Sequence, residues 1–380
     1  MRKIVLIIVG LIAFTLTLTL TLALTSKQEP VQSPSDKLED CNTPINNGLP
    51  DNKIDLLFFA NKQITEDYFA YLFSTSPFKE YEDRFNVHYL DVPVSCKRYQ
   101  DIAVFCYSKE TLKKAASCQH DVIIALTEDN EDIRASAYHN VISLNTRLPK
   151  EVLLHELGHT QPFNLDEEYL ANYNPPLSSP NCKKSCESFG SSPLECFEEC
   201  SSGSYKRSVF NGIMRTLSPE NPEIPFGKYN TEIMQGALEK YTFSPSETIT
   251  GQVSSEPASC LGQNYILLEI SYSSSLNKIE VTNKEAFVGC AMGQLTGPIS
   301  YEVNGVSGVI SRGAFDPVNT FTDKPEQDLS LGGETYIYEG KLYLAVNQDQ
   351  TPQSINFLDS EGKNIGSTSL NDLGARPCPI

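Results

Sequence analysis

Uncharged residues run without a break from Ile4 to Leu24, behind the short basic start Met1-Arg2-Lys3. A run of that length matches one membrane crossing and exceeds an ordinary signal-peptide core. No clear small-residue cleavage site follows it. Residues 1–25 are therefore read as a signal-anchor, with a cleaved signal peptide as the alternative. The basic start places the N-terminus inside and the bulk of the chain outside the membrane. Residues 26–50 are rich in Ser, Pro, Asn and Asp and read as a linker.

From there to about residue 240, strand-like runs alternate with helical ones. Ile54–Ala60 is a continuous apolar run, expected as a buried strand. Thr65–Phe73 is expected as a helix, Phe85–Val92 as a second strand and Asp101–Cys106 as a third. Lys109–Ser117 reads as a helix, Asp121–Leu126 as a fourth strand and Ala135–Leu144 as a fifth. A further helix is expected to start near Thr146, with Thr146 as its cap and Pro149 in its first turn. Asn230–Tyr241 is the last helical stretch. This alternation implies an α/β architecture over 51–244. Beyond 245 helical periodicity disappears. Short strands recur at Tyr265–Tyr272, Lys278–Thr282, Thr335–Tyr338 and Lys341–Val346, separated by Gly and Asn-Gly turns. Residues 245–380 are expected as a small all-β, sandwich-like domain.

Composition narrows the function classes. The hydrophobic fraction of 40% and charged fraction of 21% are those of a globular chain, not a disordered one. A net charge of −18 argues against nucleic acid as a partner and against docking on anionic lipid, both of which need a basic face. Eleven cysteines suit the oxidising conditions that an exported chain meets, and their odd number leaves at least one free or intermolecular.

Only five histidines occur in the chain, and two of them stand in His155-Glu156-Leu157-Gly158-His159. Residues four apart share a helix face, so both imidazoles can reach one metal ion, while Glu156 sits on the adjacent flank. That is the pattern of a zinc hydrolase, with Glu156 as general base and one Zn2+ per chain. Two core histidines are the plainer alternative. Further along, Phe210-Asn211-Gly212-Ile213-Met214-Arg215 resembles the Met-turn of metzincin peptidases, which puts Met214 beneath the metal. The segment after His159, Thr160-Gln161-Pro162-Phe163-Asn164-Leu165-Asp166-Glu167-Glu168-Tyr169, lacks the Gly and the third ligand of the usual metzincin pattern.

His-Glu-x-Gly-His followed by Leu-x-(Asp or Glu)-Glu-Tyr resembles the IgA-peptidase-like zinc metallopeptidases of the metzincin clan. So do Asn52–Phe58, Phe78–His88 and Asp91–Ser95, and the likeness spans roughly residues 50–240. It implies a metzincin-like α/β peptidase domain with a protein or peptide substrate. It does not extend to immunoglobulin cleavage, because the family includes proteins without such a substrate. The third ligand stays open. By count Asp166 lies nearest the expected place. By alignment Glu167 stands where the family usually has Asp, and Glu168 matches its Glu. Asp166 and Glu168 are weighed ahead of Glu167, with Glu195 or Glu199 as a more distant alternative. Thr216 stands where some metzincins carry an oxyanion-donating Tyr. Arg215 and Tyr169 are the remaining candidates for that role.

The spacing Cys182-x3-Cys186-x9-Cys196-x3-Cys200 suggests a Cys-rich helical hairpin over 181–201. Facing pairs would bridge as Cys182–Cys200 and Cys186–Cys196, and a four-cysteine zinc site is the rival reading. Taken together, these features predict an exported zinc endopeptidase on the extracellular side of the membrane, or secreted if the signal is cleaved. The alternatives are a non-catalytic binding ectodomain that retains a zinc site, and a zinc amidase acting on cell-surface peptides.

Overall fold

The computed structural model describes residues 38–128, 133–171, 173–176, 178–190, 195–241, 260–292, 295–317, 319–325, 331–337, 340–348 and 350–371. The expected membrane segment Ile4–Leu24 and Cys378 lie outside these. Among the described residues no helix is long and apolar enough to cross a membrane.

The first half is organised by β2 (Ile54–Phe59), β3 (Phe85–Leu90), β6 (Val122–Thr127) and β8 (Val141–Asn145), which run parallel in the order β3-β2-β6-β8. β1 (Asn42–Ile45) closes one side antiparallel to β3. Part of the expected linker is thus a strand, pinned by the Cys41–Cys118 disulfide and by Thr43, whose hydroxyl meets His88 Nδ1 at 2.9 Å. Successive side chains of a strand point to opposite faces, and in β2 both faces are apolar. Ile54, Leu56 and Phe58 join one core with α1 (Lys62–Leu72), α3 (Glu151–His159) and α4 (Lys228–Leu238). Leu57 and Phe59 join a second core.

Two strand readings change in the structure. Ala135–Leu144 is not one strand but a hairpin, β7 (Ala135–Tyr138) and β8, turned at His139 and Asn140 with φ of 47° and 59°. Consecutive left-handed residues make the type of two-residue turn that matches strand twist. The expected third strand shortens to β5 (Ala103–Phe105), which pairs with β4 (Lys97–Tyr99) in a separate two-stranded sheet and meets Arg134, just before β7, through a single parallel bridge at Ala103. The motif helix begins at Glu151, not near Thr146. The Thr146 amide still bonds Thr127 O at the end of β6, and Lys150 precedes the helix without a side-chain cap. α2 (Lys109–Ala115) is capped by Ser108, whose hydroxyl accepts from the Thr111 amide at 3.1 Å.

The tail is β-rich, as expected, but it is not a separate module. β12 (Lys278–Val288), β11 (Asn264–Ser273) and β17 (Leu342–Asn347) form one sheet. β14 (Gly308–Phe315), β13 (Ile299–Gly305), β18 (Ser354–Leu358) and β19 (Asn364–Ser369) form another. Ile266, Leu268, Val303 and Phe357 from these sheets enter the same core as Leu57, Phe59, Ile123 and Tyr138 of the first half. β15 (Asn319–Pro325) and β16 (Leu331–Ile337) complete the main sheet beyond β7, so its order is β1-β3-β2-β6-β8-β7-β15-β16. A boundary at 244/245 therefore divides the sequence but not the fold, and Leu38–Ile380 forms one unit.

Candidate metal centre

Apolar Val152, Leu153, Leu154 and Leu157 bury α3 against the sheet, and every residue from Val152 to His159 is buried. The i, i+4 spacing brings His155 Nε2 and His159 Nε2 to 3.0 Å from each other. Each ring is aimed by its other nitrogen. His155 Nδ1 lies 2.9 Å from Ile213 O, and His159 Nδ1 lies 2.8 Å from Leu165 O. A carbonyl oxygen only accepts, so both Nδ1 atoms carry the hydrogen and both neutral rings turn Nε2 lone pairs toward the same spot.

The carboxylate that meets them belongs to Glu167. Its Oε1 is 3.0 Å from His159 Nε2 and its Oε2 is 3.4 Å from His155 Nε2. Donor atoms of His155, His159 and Glu167 all fall within 4.8 Å of one another, and Glu167 is 1% exposed. Two lone pairs and a carboxylate crowded into a buried space repel one another unless a cation sits among them, either protons or a metal ion. Two imidazoles and one carboxylate are a donor set that zinc accepts. Burial pushes Glu167 up, and the imidazoles, when protonated, more than offset it and hold the carboxyl below its usual range.

The structure differs from the expectation here: of the three adjacent acids it brings Glu167, and neither Asp166 nor Glu168, to the imidazoles. Asp166 and Glu168 do not join that group, and other partners hold them. Glu168 Oε1 accepts from Asn230 Nδ2 at 2.8 Å and from Asn181 Nδ2 at 3.4 Å. Asp166 is buried beside Ser179, whose side chain hydrogen-bonds it. Burial pushes Asp166 up to about 6 against that bond, and pushes Glu168 up to about 7 against the two amides. Neither Glu195 nor Glu199 belongs to the group, and Glu199 instead faces Arg215 Nη2 at 3.8 Å.

The backbone between His159 and Glu167 explains why counting fails. Asn164 takes φ 51°, a left-handed conformation that Gly usually supplies and Asn tolerates. The chain then returns along the helix end, with the Leu165 amide on Gly158 O at 2.8 Å. Asn181 grips Asp166 twice, accepting its N–H and donating to its C=O, each at 2.8 Å. Ser201 Oγ donates to Glu167 O at 2.9 Å, and the Glu168 amide donates to Met214 O at 3.0 Å.

The Cys-rich segment supplies those grips. Cys182 bonds Cys200 and Cys186 bonds Cys196, the pairing anticipated from spacing. The secondary structure differs from expectation. Cys186–Phe189 is a single 3₁₀ turn, and β9 (Phe197–Cys200) pairs with β10 (Ser202–Arg207) in place of a second helix. Asn181 precedes Cys182 and Ser201 follows Cys200, so one bridge clamps together the two residues that hold the Glu167 segment. Sequence reasoning missed Asn181, Ser201 and Asn230. Their only signal was adjacency to the cysteines for the first two and placement on the last helix for the third.

Met214 lies in a turn beneath the motif helix, fully buried. A Cβ built on Gly158 would come within 2.6 Å of its sulfur, so the absence of a side chain between the two histidines lets the turn pack there. The turn also presents Ile213 O to His155. Glu156, the expected base, is 0% exposed. Arg215 Nη1 donates to Glu168 O at 2.7 Å, Tyr169 lies in the helix-side core, and Thr216 Oγ1 accepts from the Ser218 amide at 3.1 Å. A cleft of about 900 Å³ reaches His159, between the loop carrying Gln161 and Asp166, the α4 residues Ile233 and Ala237, and Pro298 of the tail. No family model matches this chain, and a search of curated proteins finds no match. The resemblance over 50–240 thus rests on the residues that carry it.

Proposed function

We propose that this chain is an exported, metzincin-like zinc endopeptidase. The observation that carries the reading is the convergence of His155 Nε2, His159 Nε2 and a Glu167 carboxylate in one buried space, with Glu156 beside the first histidine on the same helix. Those three donors would hold the ion, and a catalytic zinc takes three protein ligands and leaves a position open. When bound, the metal supplies Lewis acidity that lowers the pKa of water and polarises a carbonyl. Glu156 takes the proton of the attacking water and returns it to the leaving amine. Ile213 O and Leu165 O fix the ring tautomers, and Asn181 and Ser201 hold the backbone from which Glu167 projects. The cleft that reaches His159 is the approach on which a peptide, the substrate class that the sequence resemblance implies, would bind. Five disulfides support an oxidising, extracellular setting, with Ile4–Leu24 as anchor or signal.

A second reading, a zinc-stabilised binding ectodomain without turnover, is favoured by one observation, the complete burial of Glu156. Metal analysis with Glu156→Gln separates the two. The purified chain is expected to hold about one zinc, and Glu156→Gln to keep the metal while losing peptide hydrolysis. Full hydrolysis by that variant would remove Glu156 from the mechanism. Bound zinc with no hydrolysis by the wild type under any condition that opens the site would favour the ectodomain.

A further inference from the structure

β7 would be the outermost strand of the sheet in the half that carries the metal centre. The motif helix packs against β7 and β8, and the turn between them touches the segment that follows His159, where Asn140 Oδ1 accepts from the Gln161 amide at 2.9 Å. An open strand edge beside a hydrolytic centre is a template on which an extended peptide adds by backbone pairing. In this chain the edge is taken. β15 pairs antiparallel with β7 through Phe321↔Ala137, Thr322↔Ser136 and Asp323↔Ala135, and it also packs against the motif helix.

The approach to β15 is fastened to the same turn. His139 Nε2 donates to Asp316 O, and Tyr138 OH donates to Pro317 O at 3.4 Å. The two seams of β15 are unequal. It pairs with β16 along its whole length, Asn319 to Pro325, but with β7 only from Phe321 to Asp323. The hairpin β15–β16 can therefore leave β7 as a unit. Meanwhile His155 and Glu156 are both 0% exposed, and a peptide carbonyl has no way to reach a base that solvent cannot reach.

We propose that the β15–β16 hairpin is an internal strap. It fills the strand edge that an extended substrate needs, so the chain as folded is latent and acts on peptides only when β15 leaves β7. This rests on the peptidase reading above, and its test separates the two.

The full-length chain is loaded with zinc, and Phe321→Pro and Thr322→Pro are made separately. Adjacent residues of a strand direct their N–H groups to opposite neighbours. One variant therefore loses a bond to β7 and the other a bond to β16, and hydrogen exchange at 135–137 reports which. The variant that frees 135–137 is expected to yield its zinc to a strong chelator at least about tenfold faster than wild type. It is also expected to cleave a quenched pool of extended peptides at least about tenfold faster, which is about 1.4 kcal/mol in the barrier. Freed exchange at 135–137 without faster metal loss overturns the strap. Wild type cleaving as fast as the freed variant also overturns it, and leaves the peptidase reading standing. Faster metal loss with no cleavage by either chain overturns the peptidase reading and the latency with it, and leaves the hairpin only as a cover over the site. Should neither variant fold, wild type decides the matter. Added peptide pool must speed exchange across 319–325, and unchanged exchange during measurable cleavage overturns the strap.

Discussion

Replacing Glu167 with Gln keeps the size and shape of the side chain and removes its charge. The structure makes this the costliest of the three acid changes. Glu167 is the carboxylate within 3.0 and 3.4 Å of the two imidazole Nε2 atoms, and no other acid among the described residues joins that donor group. Changing a residue that merely supports a zinc ligand weakens metal binding by about 10–100-fold, so losing one of three protein donors should exceed about 100-fold. That corresponds to at least about 2.7 kcal/mol of binding free energy, which reappears as lost stabilisation when metal is saturating. Glu168→Gln should cost about tenfold or less, because a Gln oxygen still accepts from Asn230 and Asn181. Asp166→Asn keeps an acceptor for Ser179 and belongs in the same range. Zinc affinity is read by competition with a chromophoric chelator, and thermal unfolding with and without metal checks the linkage. The reasoning fails if Glu167→Gln binds zinc within about tenfold of wild type, or if either neighbouring variant binds it more weakly than Glu167→Gln does.

Two further outcomes follow from the packing and the buried charges. Gly158→Ala brings a methyl to 2.6 Å from Met214 Sδ and 3.4 Å from Phe226 Cε1. Overpacking of about 1–3 kcal/mol should outweigh the gain of about 1 kcal/mol in helix propensity, giving lower stability in urea and weaker zinc binding as Ile213 O shifts from His155. Burial raises Asp121 to about 7, against the bond from the Asp55 amide. An acid raised in the fold favours folding fully below its unfolded pKa, and that contribution is lost as pH climbs from about 4 to about 7, by about 3–4 kcal/mol. His120, lowered to about 4 by burial, works in the opposite sense because its contribution is lost as pH falls. The comparison is therefore wild type against Asp121→Asn. The variant should gain stability relative to wild type between pH 4 and pH 7, as measured by denaturant unfolding, and an unchanged difference across that window would refute the assignment.

The candidate metal centre is partly legible in the sequence, for a physical reason. His155, Glu156 and His159 lie within one helical turn, where spacing alone fixes their relation. The third donor depends on how the chain reverses after the helix, and residue counting assumes a fixed path. Asn164 in a left-handed conformation and the double grip of Asn181 on Asp166 decide which of three adjacent acids turns inward. Counting points to Asp166, whereas the carboxylate that reaches the imidazoles is that of Glu167. Cysteine pairing was legible from spacing, whereas the helices expected to carry it were not, because a 3₁₀ turn and a β-hairpin bring the same sulfurs together.

The fold carried a further clue in β2. Ile54–Phe59 is buried at every position, so its sheet must be covered on both faces. The helices α1, α3 and α4 cover only the face of Ile54, Leu56 and Phe58. Leu57 and Phe59 on the other face, with Ile123 and Val141 from neighbouring strands, require a second layer, and the short helix α2 supplies to that core Ala115 and the partly buried Leu112. Phe105, Tyr107 and Tyr138 of the same half cover part of it, and the tail strands add Ile266, Leu268, Ile270 and Phe357. An independent sandwich would have satisfied its own apolar faces and left this one open. Reading β2 as covered on two sides therefore points to the tail packing on the half that carries the candidate metal centre. That packing delivers β15 to the edge of β7.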